Sequence, residues 1–192
     1  MTTTTEPSGR LRLVIVVASG AVSRSGPAIA SWFLQQAEGH PDFELDVVDL
    51  ATIGPLPHTL ERTPELVGVA PRLGAADAFV FVTPEYNHGY PGGLKNFLDI
   101  YRHEWWGKPA AFVSYGGRSG GLRAVEQLRQ VIVEQHMVTI RDSLSFDTAR
   151  LPADVRFPPD PSTAEAAAAM LDQLSWWASA LHAQREQHPY KA

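Results

Sequence analysis

The chain has no cysteine. That removes disulfides, thiol nucleophiles and cysteine-held metals from consideration together. Its histidines are never spaced four apart, so helix-borne histidine pairs for zinc are missing as well. No basic excess exists: the net charge is -5 and the pI about 5.8. A protein with that balance has no field to draw nucleic acid or anionic lipid, and neither is expected as a partner. No apolar run approaches the roughly 20 residues needed to cross a bilayer. The opening MTTTTEPSGR has no apolar segment of the signal-peptide kind, so the reading is cytoplasmic, with residues 1–10 as a disordered tail. The dinucleotide pattern G-x-G-x-x-G is also missing, which disfavours a nicotinamide Rossmann fold.

What is present alternates. LRLVIVVAS (Leu11–Ser19) is a near-continuous β-branched run, as in a strand covered on both faces. A helix follows over Gly26–Gly39, with Pro27 at its start. FELDVVDL (Phe43–Leu50) is a shorter, partly alternating strand, and residues 51–64 read as a proline-rich loop. Leu66–Ala76 reads as a helix that Pro71 breaks early. Asp77–Thr83 is a third strand, followed by a helix over GGLKNFLDIYRHEW. Pro109–Tyr115 is a fourth strand, and Gly121–Gln135 an amphipathic helix presenting Leu122, Val125, Leu128 and Ile132. His136–Ile140 makes a short fifth strand. After the proline-rich 151–161 a last helix begins near Thr163, capped by Ser162 or Thr163. The pattern predicts one α/β domain over residues 11–187, with 188–192 as a C-terminal tail. Its expected form is a flavodoxin-like doubly wound five-stranded parallel sheet of order 2-1-3-4-5, helices on both faces. Ligands of such sheets sit at the carboxyl ends of the strands, which directs attention to three loops.

The first, ASGAVSRSGP, sets Ser19, Ser23, Arg24 and Ser25 directly before a helix N-terminus, where backbone N–H groups and the helix dipole favour an anion. A plain surface loop with a cap is the alternative. The second is PEYNHGYPGG, with Tyr86 and Tyr90 among glycines that let backbone approach a flat ligand. A structured turn with its tyrosines packed on the sheet end is the alternative there, and His88 alone is no evidence of chemistry. The third, SYGGRSGG, is again glycine-rich. Gly117 to Gly121 fits the G-x-S-x-G nucleophile elbow, but Ser119 stands too far past the strand end, and His182 and His188 fall in or past the last helix. A hydrolase is therefore the weakest reading.

TPEYNHGYPGGLKNFLD and KPAAFVSYGGRSGGLRA, in that order on this element pattern, resemble the NAD(P)H-dependent FMN reductase family of flavodoxin-like proteins, which includes quinone, azo-dye and chromate reductases. The likeness covers roughly residues 11–140. It implies FMN as cofactor and NADPH or NADH as co-substrate. Pro84, Glu85, Tyr86 and Asn87 would line the isoalloxazine ring. Tyr115, Gly116, Gly117, Arg118 and Ser119 would face its pyrimidine side and ribityl chain, and the first loop would hold the phosphate. Hydride would pass in ping-pong order to free flavin or a quinone-like acceptor, with no catalytic side chain. The resemblance also implies a homodimer or a tetramer. The clustered aromatics of YRHEWWGK (Tyr101, Trp105, Trp106) are expected beside the site and suit an interface, the edge of the core being the alternative. Arg118 is a candidate for the 2′-phosphate of NADPH.

Two positions depart from the family pattern. Ala21 stands where the family's phosphate-gripping arginine is usual, and Arg24 is the substitute. Losing one charged contact costs about 1.5–3 kcal/mol, roughly one to two decades in affinity. Gly89 replaces a frequent serine. The alternative function is accordingly a flavodoxin-like protein with weakened or lost FMN binding, acting as an electron carrier or on another ligand.

Overall fold

The computed structural model describes residues 9–18, 25–57, 59–150 and 160–191. Five strands form one sheet: β1 (Leu11–Val17), β2 (Phe43–Asp49), β3 (Ala78–Pro84), β4 (Pro109–Gly116) and β5 (Val138–Asp147). All neighbouring pairs are parallel, in the order β2-β1-β3-β4-β5, as the alternation of elements predicts. The helices are α1 (Gly26–Glu38), α2 (Leu50–Ile53), α3 (Pro64–Ala75), α4 (Gly92–Ile100), α5 (Leu122–Glu134) and α6 (Ser162–Gln187). None of the described helices is long and apolar enough to cross a membrane.

β1 shows why its sequence is a continuous apolar run. Leu13, Ile15 and Val17 join a core with Ile29 and Phe33 of α1 and Leu171 and Leu174 of α6. Val14 and Val16, pointing the other way, join Leu66 and Leu73 of α3, Phe97 of α4 and Leu128 of α5. A strand with both faces in apolar layers has no polar side to show. β3 and β4 are buried along their whole length for the same reason. The switch in strand order falls between β1, which turns back to β2, and β3, which leads outward, so the crevice lies at their carboxyl ends.

Several local expectations need correction. β5 is ten residues long rather than five, and starts at Val138 because His136 takes a left-handed conformation (φ 59°) after α5. Its pairing slips: Ala110 faces Thr139 while Phe112 faces Ser143, so extra residues bulge from this edge strand. α3 runs on to Ala75 despite Pro71. Pro71 and Val67 are both exposed, so the Val67 carbonyl that proline leaves without a helical donor is open to water. The 51–64 loop contains the short helix α2, and α4 stops at Ile100. Leu122 is exposed, and Ala124 takes its place on the buried face of α5. α6 starts at Ser162 itself; Asp160 accepts the Ser162 amide at 2.9 Å, and neither Ser162 nor Thr163 is the cap.

The aromatic segment after α4 is the largest correction. Tyr101 and Trp105 are fully buried within this chain. Trp105 meets the rings of Phe79 and Phe97 edge-on, and its Nε1 donates to Leu98 O at 3.1 Å. The Tyr101 hydroxyl donates to Leu66 O at 2.8 Å. These residues precede β4, at the amino ends of the strands, away from the loops named above. They are core, so they carry no argument for a subunit interface. Nearby, Tyr190 packs its ring against Gly107 and shares a hydrogen bond with His136 Nδ1 at 3.1 Å, docking the chain after α6.

Candidate functional site at the carboxyl ends of β1, β3 and β4

The loop after β3 is built on a tight turn. Tyr86 N donates to Gly89 O at 2.8 Å, and Gly89 N returns a bond to Tyr86 O at 3.1 Å. Between them Asn87 (φ 50°) and His88 (φ 72°) are both left-handed, the combination of a type I′ turn. Asn87 tolerates that conformation better than His88 does. The turn pushes Asn87 and His88 into solvent and leaves Tyr86 exposed at the rim. Tyr90, in contrast, packs partly against the core beneath α4.

Glu85 begins this loop with its amide bonded to Tyr115 O at 2.8 Å, which joins the ends of β3 and β4. Its side chain is only 4% exposed. Arg123 Nε donates to Oε1 at 2.6 Å, the Arg123 amide to Oε2 at 3.2 Å, and Arg123 Nη2 closes on the same carboxylate. Burial pushes the Glu85 carboxyl up, but hydrogen bonds from Arg123 and Ser119 and the guanidinium charge outweigh it, so the net displacement is downward. The group is therefore ionised and occupied.

The loop after β4 is pressed onto its own sheet. Gly120 (φ 60°) and Gly121 (φ 91°) are left-handed, and a Cβ at Gly121 would stand 2.6 Å from Ser114 Cβ. Ser114 Oγ and Ser145 Oγ both donate to Gly120 O, at 3.0 and 2.8 Å. Thr148 fastens the end of β4 by donating its amide and hydroxyl to Gly116 O. Gly117 and Arg118 stay exposed at the tip. Arg118 makes no hydrogen bond or ion pair with the described residues, whereas the charge of Arg123 is committed to Glu85.

Of the first loop, Ser19, Ser23, Arg24 and Ala21 lie outside the described residues. Ser25 occupies the N-cap position of α1 without a side-chain cap bond, and no acidic residue stands in the first turn of that helix. The positive end of α1 is thus not neutralised from within its own first turn.

Among the candidate residues, Pro84 closes β3 and is buried, while Glu85, Tyr86 and Asn87 descend from it. The Tyr115 ring is buried in the core with Val113 and Ala111, and its main-chain carbonyl bonds the β3 loop. Gly116 is buried; a Cβ there would lie 3.2 Å from Glu85 Cβ. Ser119 is half-buried, its Oγ accepting the Gly121 amide at 3.4 Å. His182 sits at the other end of the sheet, its Nδ1 2.7 Å from Oδ1 of Asp77, the residue before β3. That separation removes any Ser119–His182 pair. Arg123, Gln127, Ser145 and Thr148 join the site without having been expected there from sequence. Arg123 and Gln127 stand one turn apart at the start of α5, a spacing visible in the sequence, but their partners lie 35 to 39 residues back.

Residues 11–150 match the family model described as NADPH-dependent FMN reductase. A NAD(P)H-dependent FMN reductase of Saccharomyces cerevisiae is 34% identical over 167 residues, covering 76% of this chain and 87% of that protein. One of Schizosaccharomyces pombe is 37% identical over 131 residues, covering 62% of this chain and 64% of that protein, just under two thirds of its length. Among solved structures, the flavoenzyme NAD(P)H:(acceptor) oxidoreductase FerB of Paracoccus denitrificans aligns with a TM-score of 0.68 at 22% identity. That alignment takes in 90% of this chain and 98% of FerB, a likeness of fold.

Proposed function

This chain belongs to the NADPH-dependent FMN reductase family, and from that premise we propose that it is an FMN-dependent NAD(P)H oxidoreductase acting on free flavin or a flat, quinone-like acceptor. The observation that carries the reading is the convergence of an N-terminal helix end and two loops at the switch point of the sheet, joined by the Glu85–Tyr115 bond.

The residues present fit the cofactor. The open end of α1 and the hydroxyl of Ser25, which makes no cap bond, suit a phosphate. In this reading Ser19, Ser23 and Arg24 complete the phosphate site, with Arg24 replacing the arginine that Ala21 displaces. Pro84, Glu85, Tyr86 and Asn87 border one edge of the ring. The main chain of Tyr115, Gly116 and Gly117, with Ser119, borders the other, and the missing side chain at Gly117 leaves nothing to stand in the way. When bound, FMN supplies the hydride chemistry.

The chain's own task is to hold and to select. Glu85, kept ionised by Arg123 and Ser119, is no proton donor; it anchors the β3 loop. Tyr86 offers an exposed aromatic surface at the rim for one planar partner at a time, which corresponds to a ping-pong order. In this reading Arg118, exposed and unpaired among the described residues, meets the 2′-phosphate of NADPH.

The test is steady-state oxidation of NADPH by the FMN-loaded protein with a naphthoquinone as acceptor. Parallel lines in double-reciprocal plots are expected. Oxidation no faster than with heat-inactivated protein contradicts the reading, and slow oxidation rescued only by a separate reductase points to an electron carrier.

A further inference from the structure

Two side chains on one face of α5 hold both ends of the rim segment. Arg123 bonds the Glu85 carboxylate through Nε, Nη2 and its amide, and its Nη1 reaches His88 Nε2 at 2.8 Å. Gln127, one turn on, donates Nε2 to His88 O at 3.0 Å. Between these ties, Tyr86 to His88 are exposed. His88 also holds a left-handed conformation that a residue with a side chain adopts only at a cost, so the turn needs support from outside. That support comes from α5. Gly89 lets it approach: a Cβ there would stand 3.0 Å from Gln127 Oε1.

We propose that Arg123 is a positioning residue of this site, fixing the Tyr86–Gly89 turn, and with it the Tyr86 ring, as the docking edge for a planar acceptor. The inference rests on reading that rim as the acceptor's place. A guanidinium suits the task because its planar fork serves Glu85 on one side and His88 on the other, while a lysine ammonium at that position keeps the charge but not the two-sided geometry. Among the described residues the Arg123 side chain is given to Glu85 and His88, so its loss is expected to act first on the acceptor edge. Gln127 contributes the second tie from an exposed position.

The experiment pairs amide hydrogen exchange with kinetics on wild type, Arg123→Ala, Arg123→Lys and Gln127→Ala. In Arg123→Ala the Tyr86 and Gly89 amides are expected to exchange about tenfold faster, with the amides of β3 and β4 unchanged. KM for a naphthoquinone is expected to rise about five- to tenfold while kcat stays within about twofold, with Arg123→Lys in between. Should Arg123→Ala fail to fold, Arg123→Lys and Gln127→Ala carry the same comparison with smaller shifts. Unchanged exchange at Tyr86 and Gly89 overturns the proposal, as does a fall in kcat with KM unmoved. A wild type that oxidises no NADPH overturns the oxidoreductase reading and the KM claim with it, while the exchange arm still decides whether Arg123 holds the turn.

Discussion

The amide of Glu85 and the carbonyl of Tyr115 lie 2.8 Å apart, and this one bond sets the loops of β3 and β4 at a fixed separation. Everything assigned to the site hangs from that junction. The glycines on the β4 side keep it closed, and Arg123 steadies it on the β3 side.

Gly121 and Gly117 are expected to behave oppositely when changed to alanine. Gly121 is left-handed, and a Cβ there would meet Ser114 Cβ at 2.6 Å and Tyr115 N at 2.8 Å. Backbone strain and overpacking together predict a loss of about 3 kcal/mol for Gly121→Ala in urea unfolding. A Cβ added at Gly117 would meet nothing within 4 Å, and its φ is not positive, so Gly117→Ala is expected to change stability by less than about 0.5 kcal/mol. Equal effects contradict the account of this loop.

Trp105 separates core from interface. Fully buried against Phe79, Phe97 and Tyr101, it is expected to cost about 3–5 kcal/mol when changed to alanine. A loss under about 1 kcal/mol accompanied by a change in sedimentation would restore the interface reading.

Lys108 ties the end of α3 to the turn before β4. Its Nζ lies 2.8 Å from each of three carbonyls, Leu73, Gly74 and Glu104. Burial, with the nearby Arg185 charge, pushes Lys108 down to about 7 from 10.5. The unfolded chain therefore binds more protons between those values, and the residue's contribution makes stability rise with pH across that window. The unfolding free energy of wild type minus that of Lys108→Met is expected to grow by about 1–3 kcal/mol from pH 7 to about pH 9.5. A flat or shrinking difference refutes the assignment.

Much of this was legible in residue pattern, for physical reasons. Most of β1 and all of β3 and β4 are buried, and so they read as near-continuous apolar runs. The second half of β5 was not legible: at the sheet edge Arg141, Asp142, Ser143 and Ser145 break the apolar run that marks a buried strand. Tyr101 and Trp105 stand among Arg, His and Glu in the sequence, and only the packing of α4 against β3 and β4 turns their rings inward. Tyr115 could have been placed by strand alternation, since it shares a face with Val113 and Ala111. The Arg123 contacts could not, because no local periodicity links α5 to a turn 35 residues earlier.

Arg118 is expected to set nucleotide preference. Arg118→Ala should lower kcat/KM for NADPH about five- to tenfold and leave NADH within about twofold, the loss of one solvent-exposed charged contact. The same NADPH-to-NADH ratio in both proteins rejects the assignment.

The central claim is that these three loops bind FMN even though Ala21 stands at the usual arginine position. The direct measurement is a fluorescence-quench titration of FMN into the stripped protein, wild type and Arg24→Ala. The account predicts saturable binding by wild type at micromolar concentration or tighter, weakened about ten- to a hundredfold in Arg24→Ala. No saturable binding by the wild type contradicts it and means that this switch point serves another ligand.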